Sequence, residues 1–387
     1  MKKLLSLILI PTLLFLPGCG LHLTELSDRL IIEAIGIDRT EGGFTVTVQA
    51  LDNLAVGIDE GVPESGVTKC YTFHGTTVGE AFSRIGAQTG LSPLYSQARL
   101  LLLGYPTAEQ NLCETLDFFL REQNTRADIA VAVAEHTAEE VVTASFGKNR
   151  VGASVLEDAL RAGEENGAAL TVPLYAFMNL LLSETDAACC PLLGVRENPL
   201  SGDSLARPLG CVVFQGTKIG TTITQNDMLP LLFLTGQTGN ADFTVNCGDT
   251  RCTLRLMRGK TKIRLAEKDG RPYFKIAIDA RCDITEVVSS SFAPLDTRQV
   301  RAVADAASAF LTETTASLLD RCFYGEGCDL CRFFTRFRLR RPGAYRAMAA
   351  ASPLSPADCP CEIQCSVAIR RTGKEILRED GANTNRK

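Results

Sequence analysis

RCTLRLMRGKTKIRLAEKDGRPYFKIAIDARCD, residues 251–283, followed by TRQVRAVADAASAFLTETTASLLDRC, residues 297–322, decides the fold class. The first stretch reads as three strands, at 251–257, 260–267 and 273–283, whose lengths suit one antiparallel sheet. The second places Val300, Ala304, Ala307, Leu311, Leu318 and Cys322 along one helical stripe, with Asp305, Glu313 and Asp320 away from it or beside it. Strands first and one long helix afterwards predict an α+β unit in which the helix lies on the sheet as a core element.

Upstream, 211–214 and 218–222 flank Gln215-Gly216-Thr217 as a hairpin, and a short helix is expected near 227–234. Asn198, Pro199, Ser201, Gly202 and Asp203 gather turn-formers between Arg196 and Arg207, where a domain boundary is expected. Before that boundary, 31–38 and 44–51 are strand-like around Glu41-Gly42-Gly43, and a third strand is expected at 68–73. Thr77 reads as the N-cap of a helix carrying Val78, Ala81, Phe82 and Ile85, with Glu80 completing a capping box and Gly90 closing it. An apolar strand at 100–103, a helix at 108–120, a strand at 128–134 and helices near 154–162 and 174–182 continue the alternation, which predicts helices packed on a mixed sheet. The whole is therefore α+β, with mixed or antiparallel sheets and helices on them, organised as two halves or as three compact subdomains.

Downstream, Arg332-Phe333-Phe334-Thr335-Arg336-Phe337-Arg338-Leu339-Arg340-Arg341 interleaves basic and aromatic residues. Such a stretch suits anionic headgroups or an acidic partner subunit, and equally an amphipathic segment that buries its phenylalanines and leaves its arginines in water. Cys359, Cys361 and Cys365, with Cys328-Asp329-Leu330-Cys331 upstream, would allow a local disulfide, but C-x-C-x₃-C is not a standard zinc spacing and no metal site is assigned.

The N-terminus sets the compartment. Lys2 and Lys3, an apolar run over 4–16 interrupted by Pro11, and Leu16-Pro17-Gly18-Cys19 read as an export signal over 1–18 ending at a lipid-attachment cysteine, Cys19. The run is shorter than the roughly 20 residues of a spanning helix, and no later stretch reaches that length. With 387 residues, 45% hydrophobic and 22% charged, the chain is long enough for two or three globular domains. Its net charge of −5 argues against a nucleic-acid protein. Fifteen cysteines are many for an exported chain, yet Cys113, Cys211, Cys252 and Cys282 sit in apolar patterns where a thiol serves as a small hydrophobe. The only histidines are His22, His74 and His136, none in a zinc-protease pattern, and no nucleophile elbow, P-loop or dinucleotide fingerprint is present. The carboxylate pairs Glu139/Glu140 and Glu164/Glu165 read as solvated helix faces, so no catalytic residue and no cofactor is assigned.

Several segments taken in order resemble the C-subunit lipoproteins of bacterial spore germinant receptors, the Ger(x)C family. They are Glu25-Leu26, Ala34-Ile35-Gly36-Ile37-Asp38, Thr77-Val78-Gly79-Glu80-Ala81-Phe82, Leu116-Asp117-Phe118-Phe119-Leu120-Arg121-Glu122 with Arg126, and Val131-Ala132-Val133-Ala134-Glu135. The second half adds Gly210-Cys211-Val212-Val213-Phe214-Gln215-Gly216-Thr217-Lys218-Ile219-Gly220, then Asp320 and Gly325 ahead of Pro342 and Tyr345. The tryptophan usual after the lipid cysteine is missing, Tyr345 stands where tryptophan is common, and Gln97 replaces a frequent histidine. The resemblance implies an N-terminal domain over 19–197, a C-terminal domain over 206–378 and a polar tail over 379–387. It also implies a non-enzymatic subunit lipid-anchored on the outer face of the spore inner membrane and assembled with membrane A and B subunits. It names no small-molecule ligand and transfers only Cys19 as a functional residue. Two other classes stay compatible with the residues: a solute-binding lipoprotein of a transport system and a cell-wall enzyme, which would need a titratable group in a cleft.

Overall fold

The structure, a computed structural model, describes residues 25–52, 67–110, 112–144, 146, 150–200, 202, 204–268, 271–288, 295–351 and 354–373. The expected leader with Cys19 and the tail over 379–387 lie outside these residues.

The first sheet opens with β1 (Arg29–Thr40) and β2 (Gly43–Leu51), a hairpin closed by the Thr40 to Gly43 pairing, and β3 (Thr68–Gly75) pairs with β2. Next come α1 (Val78–Thr89), the short β4 (Ser92–Leu94), β5 (Leu100–Gly104), α2 (Tyr105–Glu109), α3 (Leu112–Arg121) and β6 (Ala130–Ala134). After these come α4 (Ala138–Thr143), α5 (Gly152–Glu165), α6 (Leu174–Leu181), β7 (Ala187–Glu197), β8 (Ser204–Gln215) and β9 (Lys218–Thr224). The strands run β3-β2-β1-β5-β6-β7-β8-β9, with β4 beside β1. The centre, β1 through β5 and β6 to β7, is parallel, and both wings are antiparallel. The fully buried runs of β5 and β6 are what a central parallel strand covered on both faces demands. Phe82 of α1, Leu116 and Phe119 of α3 and Phe177 of α6 fill one face, and Val141, Val142, Leu156 and Leu160 of α4 and α5 fill the other.

The turn-rich stretch around 198–203 does not divide one sheet from another. It links β7 to β8, which pair from Ala187–Gln215 to Glu197–Ser204, so the first sheet continues through β9. The physical reason is that turn-formers mark a reversal of the chain, and a reversal between paired strands has the same composition as a linker. The expected helix over 108–120 is two helices, because the backbone restarts after α2.

The join to the second sheet is α7 (Met228–Thr235), whose residues from Met228 to Leu234 are all buried. A helix apolar on every side has protein on every side, and α7 packs toward both the β8 end and the second sheet. The second sheet is β10 (Asp242–Cys247), β11 (Thr250–Lys268), β12 (Arg271–Val288) and β13 (Cys361–Arg371), in that order. Two expected strands at 251–257 and 260–267 are one strand, β11. Gly259 is not a turn: an added Cβ would lie 2.7 Å from the Phe233 ring, so glycine there lets the strand pass under α7. The first three strands are antiparallel, and β13 adds parallel to β12 after a long helical crossover. That crossover contains α8 (Thr297–Leu319), a π-turn over Asp320–Gly325, α9 (Phe333–Arg340) and α10 (Pro342–Ala351). Asp296 caps α8 and Gln299 answers it; Val300, Ala307, Leu311 and Leu318 of the expected stripe are buried, Val303 joins them, and Ala304 is only half-buried.

Thr77 caps α1 as expected, accepting from the Glu80 amide at 3.1 Å, while the Glu80 carboxylate reaches back one residue further than in a standard box, to the Thr76 amide at 2.7 Å. Thr77→Ala is expected to lower stability by about 1 kcal/mol, read as a shift of the denaturation midpoint. An unchanged midpoint would mean that Glu80 alone holds this helix end.

Candidate functional surface

Most of the residues singled out by the sequence prove to be architectural. Asp38, at the end of β1, accepts from the amides of Ala138 at 2.8 Å and Glu139 at 3.0 Å and so caps α4. Burial pushes its carboxyl above the ordinary value, against the pull of those two N–H groups. Gly104 leaves room for Asp38, since a Cβ there would stand 2.1 Å from Oδ1. Glu135 and Arg196 form a two-pronged pair at 2.6 and 2.9 Å that ties the end of β6 to β7. In the 210–220 segment Gly210 has φ of 144° and Gly216 φ of 58°, both conformations that favour glycine. A Cβ at Gly220 would meet Cys328 Sγ at 2.4 Å.

An open groove of about 670 Å³ lies between the start of α1 and α3, floored by Phe44, Gly79 and Phe118 and rimmed by Asp117, Arg121 and Glu122. Phe118 stacks on Phe82 with ring centres 4.7 Å apart. The Arg121 guanidinium, 2.7 Å from Asp117, holds that carboxyl below its usual range, and Arg39 pairs with Glu114 at 3.0 Å. This rim holds ion pairs; it does not bring a nucleophile to a base. Glu139 and Glu140 are exposed on α4, and Glu164 and Glu165 end α5.

Among the described residues, fourteen cysteines are thiols and no group of three or more His, Cys, Asp or Glu side chains is placed to hold a metal. Burial pushes the thiols of Cys189 and Cys282 up to about 12 and those of Cys328 and Cys361 up to about 11. Such groups stay protonated near neutrality and pack as hydrophobes.

The Cys328-Asp329-Leu330-Cys331 segment is instead the seam between the sheets. Asp329 is fully buried; its backbone carbonyl accepts from Ala187 at the start of β7, and its carboxylate accepts from the amides of Phe333 and Phe334, both at 2.9 Å, capping α9. Burial raises its pKa to about 6 despite those donors, and the neighbouring Asp186 adds to the rise. Arg332, in a left-handed conformation at φ 57°, pairs with buried Asp186 at 2.8 Å.

The basic-aromatic stretch divides by face. Phe333, Phe334 and Phe337 are buried, while Arg336 lines an open depression with Arg340 and Arg341, and Leu339 is 74% exposed. What the sequence reading missed is the surface this stretch joins. The core side chains of β11 point to α7, α8 and α9; its outward side chains from 258 to 264 are Arg258, Lys260, Lys262 and Arg264, all basic. Beside them on β12 stand Arg281 and Lys275. Two depressions of 360 and 370 Å³ flank the row, one at Arg264, Arg336, Arg340 and Arg341, the other at Arg258, Lys260 and Arg281. The signal was present in the sequence as basic residues at every second position of 258–264, the period of one strand face.

Comparison with known proteins gives consistent results. A family model described as the spore germination protein N-terminal domain matches residues 23–195, and one described as spore germination B3/GerAC like, C-terminal, matches residues 209–373. The chain is similar to spore germination protein KC of Bacillus subtilis (strain 168), 21% identical over 398 residues covering 96% of each chain. It also shares its fold with a solved structure described as the crystal structure of the GerBC protein, with a TM-score of 0.55 and 16% identity, over 87% of this chain and 96% of the other.

Proposed function

The chain belongs to the Ger(x)C family of spore germination proteins, and from that premise we propose that it is a non-enzymatic, lipid-anchored C subunit of a spore germinant receptor. In this reading Cys19 carries the lipid, the chain faces outward from the spore inner membrane, and it works in assembly with membrane A and B subunits. The observation that carries it is that both family models match in order and together span nearly all of the chain beyond the leader. A lipid anchor gives such a subunit a physical advantage. Two or more acyl chains hold firmly where one holds only reversibly, and confinement to the bilayer raises the effective concentration of partners.

The test is affinity purification of a tagged chain from detergent-solubilised spore membranes, with a Cys19→Ala chain beside it and mass spectrometry of what co-purifies. Two multispanning proteins are expected with the native chain and are expected to be lost or much reduced with Cys19→Ala. Recovery of the chain alone, or with permease and ATPase components, would overturn the receptor reading.

A further inference from the structure

We propose that the outward face of the second sheet, continued by the end of α9, is a docking surface for anionic phospholipid, a contact distinct from any N-terminal anchor. The row Arg258, Lys260, Lys262 and Arg264 runs for about 20 Å at roughly 3.3 Å per residue. It meets Arg340 and Arg341 at the depression beside Arg264. Among the described residues none of these six cations has an ion-pair partner, although Asp279 lies opposite Lys260 in register. Nearby charge is otherwise matched at the margins, where Lys275 faces Glu362 at 3.8 Å and Arg255 pairs with Asp242 at 2.8 Å. Among the described residues, α7 and α8 pack on the other face of this sheet. A chain of net charge −5 thus gathers unpaired positive charge on one face, so an anionic plane would attract that face and repel the remainder.

Two features favour lipid over an acidic protein. No aromatic side chain stands among residues 258–264 to serve as an anchor. On α9, which brings Arg340 and Arg341 to the row, Leu339 is 74% exposed and is flanked in sequence by exposed Arg338 and Arg340, an aliphatic group among cationic residues that suits the boundary between headgroups and acyl chains. Beyond it α10 exposes Ala344, Ala347 and Ala350, small apolar side chains at the surface.

The absence of tryptophan from the sequence allows a direct test. The whole chain carrying Leu339→Trp is mixed with vesicles of phosphatidylcholine alone, or of equal parts phosphatidylcholine and phosphatidylglycerol, each with brominated acyl chains as quencher. A second chain carries Leu120→Trp on α3, which is also exposed. The expected result is quenching of the L339W chain by the phosphatidylglycerol vesicles only, weakened by salt, with little quenching of the L120W chain. Each basic residue near such a surface is worth about fivefold in partition. Adding Arg264→Gln, Arg340→Gln and Arg341→Gln is thus expected to lower the charge-dependent partition on the order of a hundredfold, with an unchanged circular-dichroism melt. Equal quenching in both vesicle types, equal quenching at both positions, or partition indifferent to the three substitutions would overturn the proposal. So would a chain that ignores vesicles but binds polyglutamate, which would make the face a protein-docking surface. Each of these outcomes is independent of which chains co-purify from spores.

Discussion

Phe333→Ala is expected to destabilise the chain by roughly 3–5 kcal/mol, the range for removing a fully buried phenylalanine. The ring has no exposed surface and packs against Phe274 of β12 at 4.5 Å and Phe323 of the π-turn at 4.9 Å, so three elements close on it. The π-turn and the left-handed Arg332 ahead of it, and α9 running on from it, leave little freedom to collapse into the vacated space. The damage should concentrate where α9 docks. Amides of 333–340 and the neighbouring part of β12 should exchange faster with solvent, while those of β5 and β6 keep their protection. Denaturant unfolding supplies the total and hydrogen exchange the location. A loss below about 1 kcal/mol would show that α9 is held by its cap rather than by the ring.

A second large effect is expected from pH. Asp329 has its carboxyl raised from 3.8 to about 6, chiefly by burial. Between about pH 4 and pH 6 the folded chain therefore holds a proton at this site that the unfolded chain has released. The contribution of Asp329 to stability is thus greatest below pH 4 and declines as pH rises through 6. At 1.36 kcal/mol per unit the decline is about 3 kcal/mol. Other carboxylates add a pH dependence of the opposite sign at lower pH, below about 4, Asp117 and Asp242 among them, because hydrogen bonds from arginine partners hold theirs low. The measurement is therefore a difference. Stability of the native chain relative to Asp329→Asn should fall by about 3 kcal/mol from pH 4 to pH 7 and stay flat above. A flat difference throughout would mean that the donors from Phe333 and Phe334 compensate the burial in full. Because Asp329 also binds the start of β7 through its carbonyl, this titration sits at the seam between the sheets.

Much of the fold is legible in local patterns. In the β1–β2 hairpin, the capped α1, the apolar β5 and the stripe of α8, neighbours in sequence are neighbours in space, and each element appears where the periodicity puts it. The burial of Phe333, Phe334 and Phe337 under solvated arginines follows from the same amphipathic logic. Three features needed the tertiary structure. The Asn198-to-Asp203 turn, where the two family models divide the chain, lies inside one continuous sheet; the strand runs unbroken through Gly259; and β13 adds a parallel edge to the antiparallel strands. Each depends on what lies across from the residue: β8 against β7, Phe233 over Gly259, β13 beside β12.

By itself the sequence determined the class of most elements, the Thr77 cap of α1 and the family through the order of its motifs, because these depend on residues close together in the chain. Only the tertiary structure decided the surfaces. It put Asp329 in the seam, made Asp38 a cap for a helix a hundred residues away, and brought Arg264 on β11 to Arg340 and Arg341 on α9. Charge acts through space and desolvation through burial, and neither is set until distant segments pack.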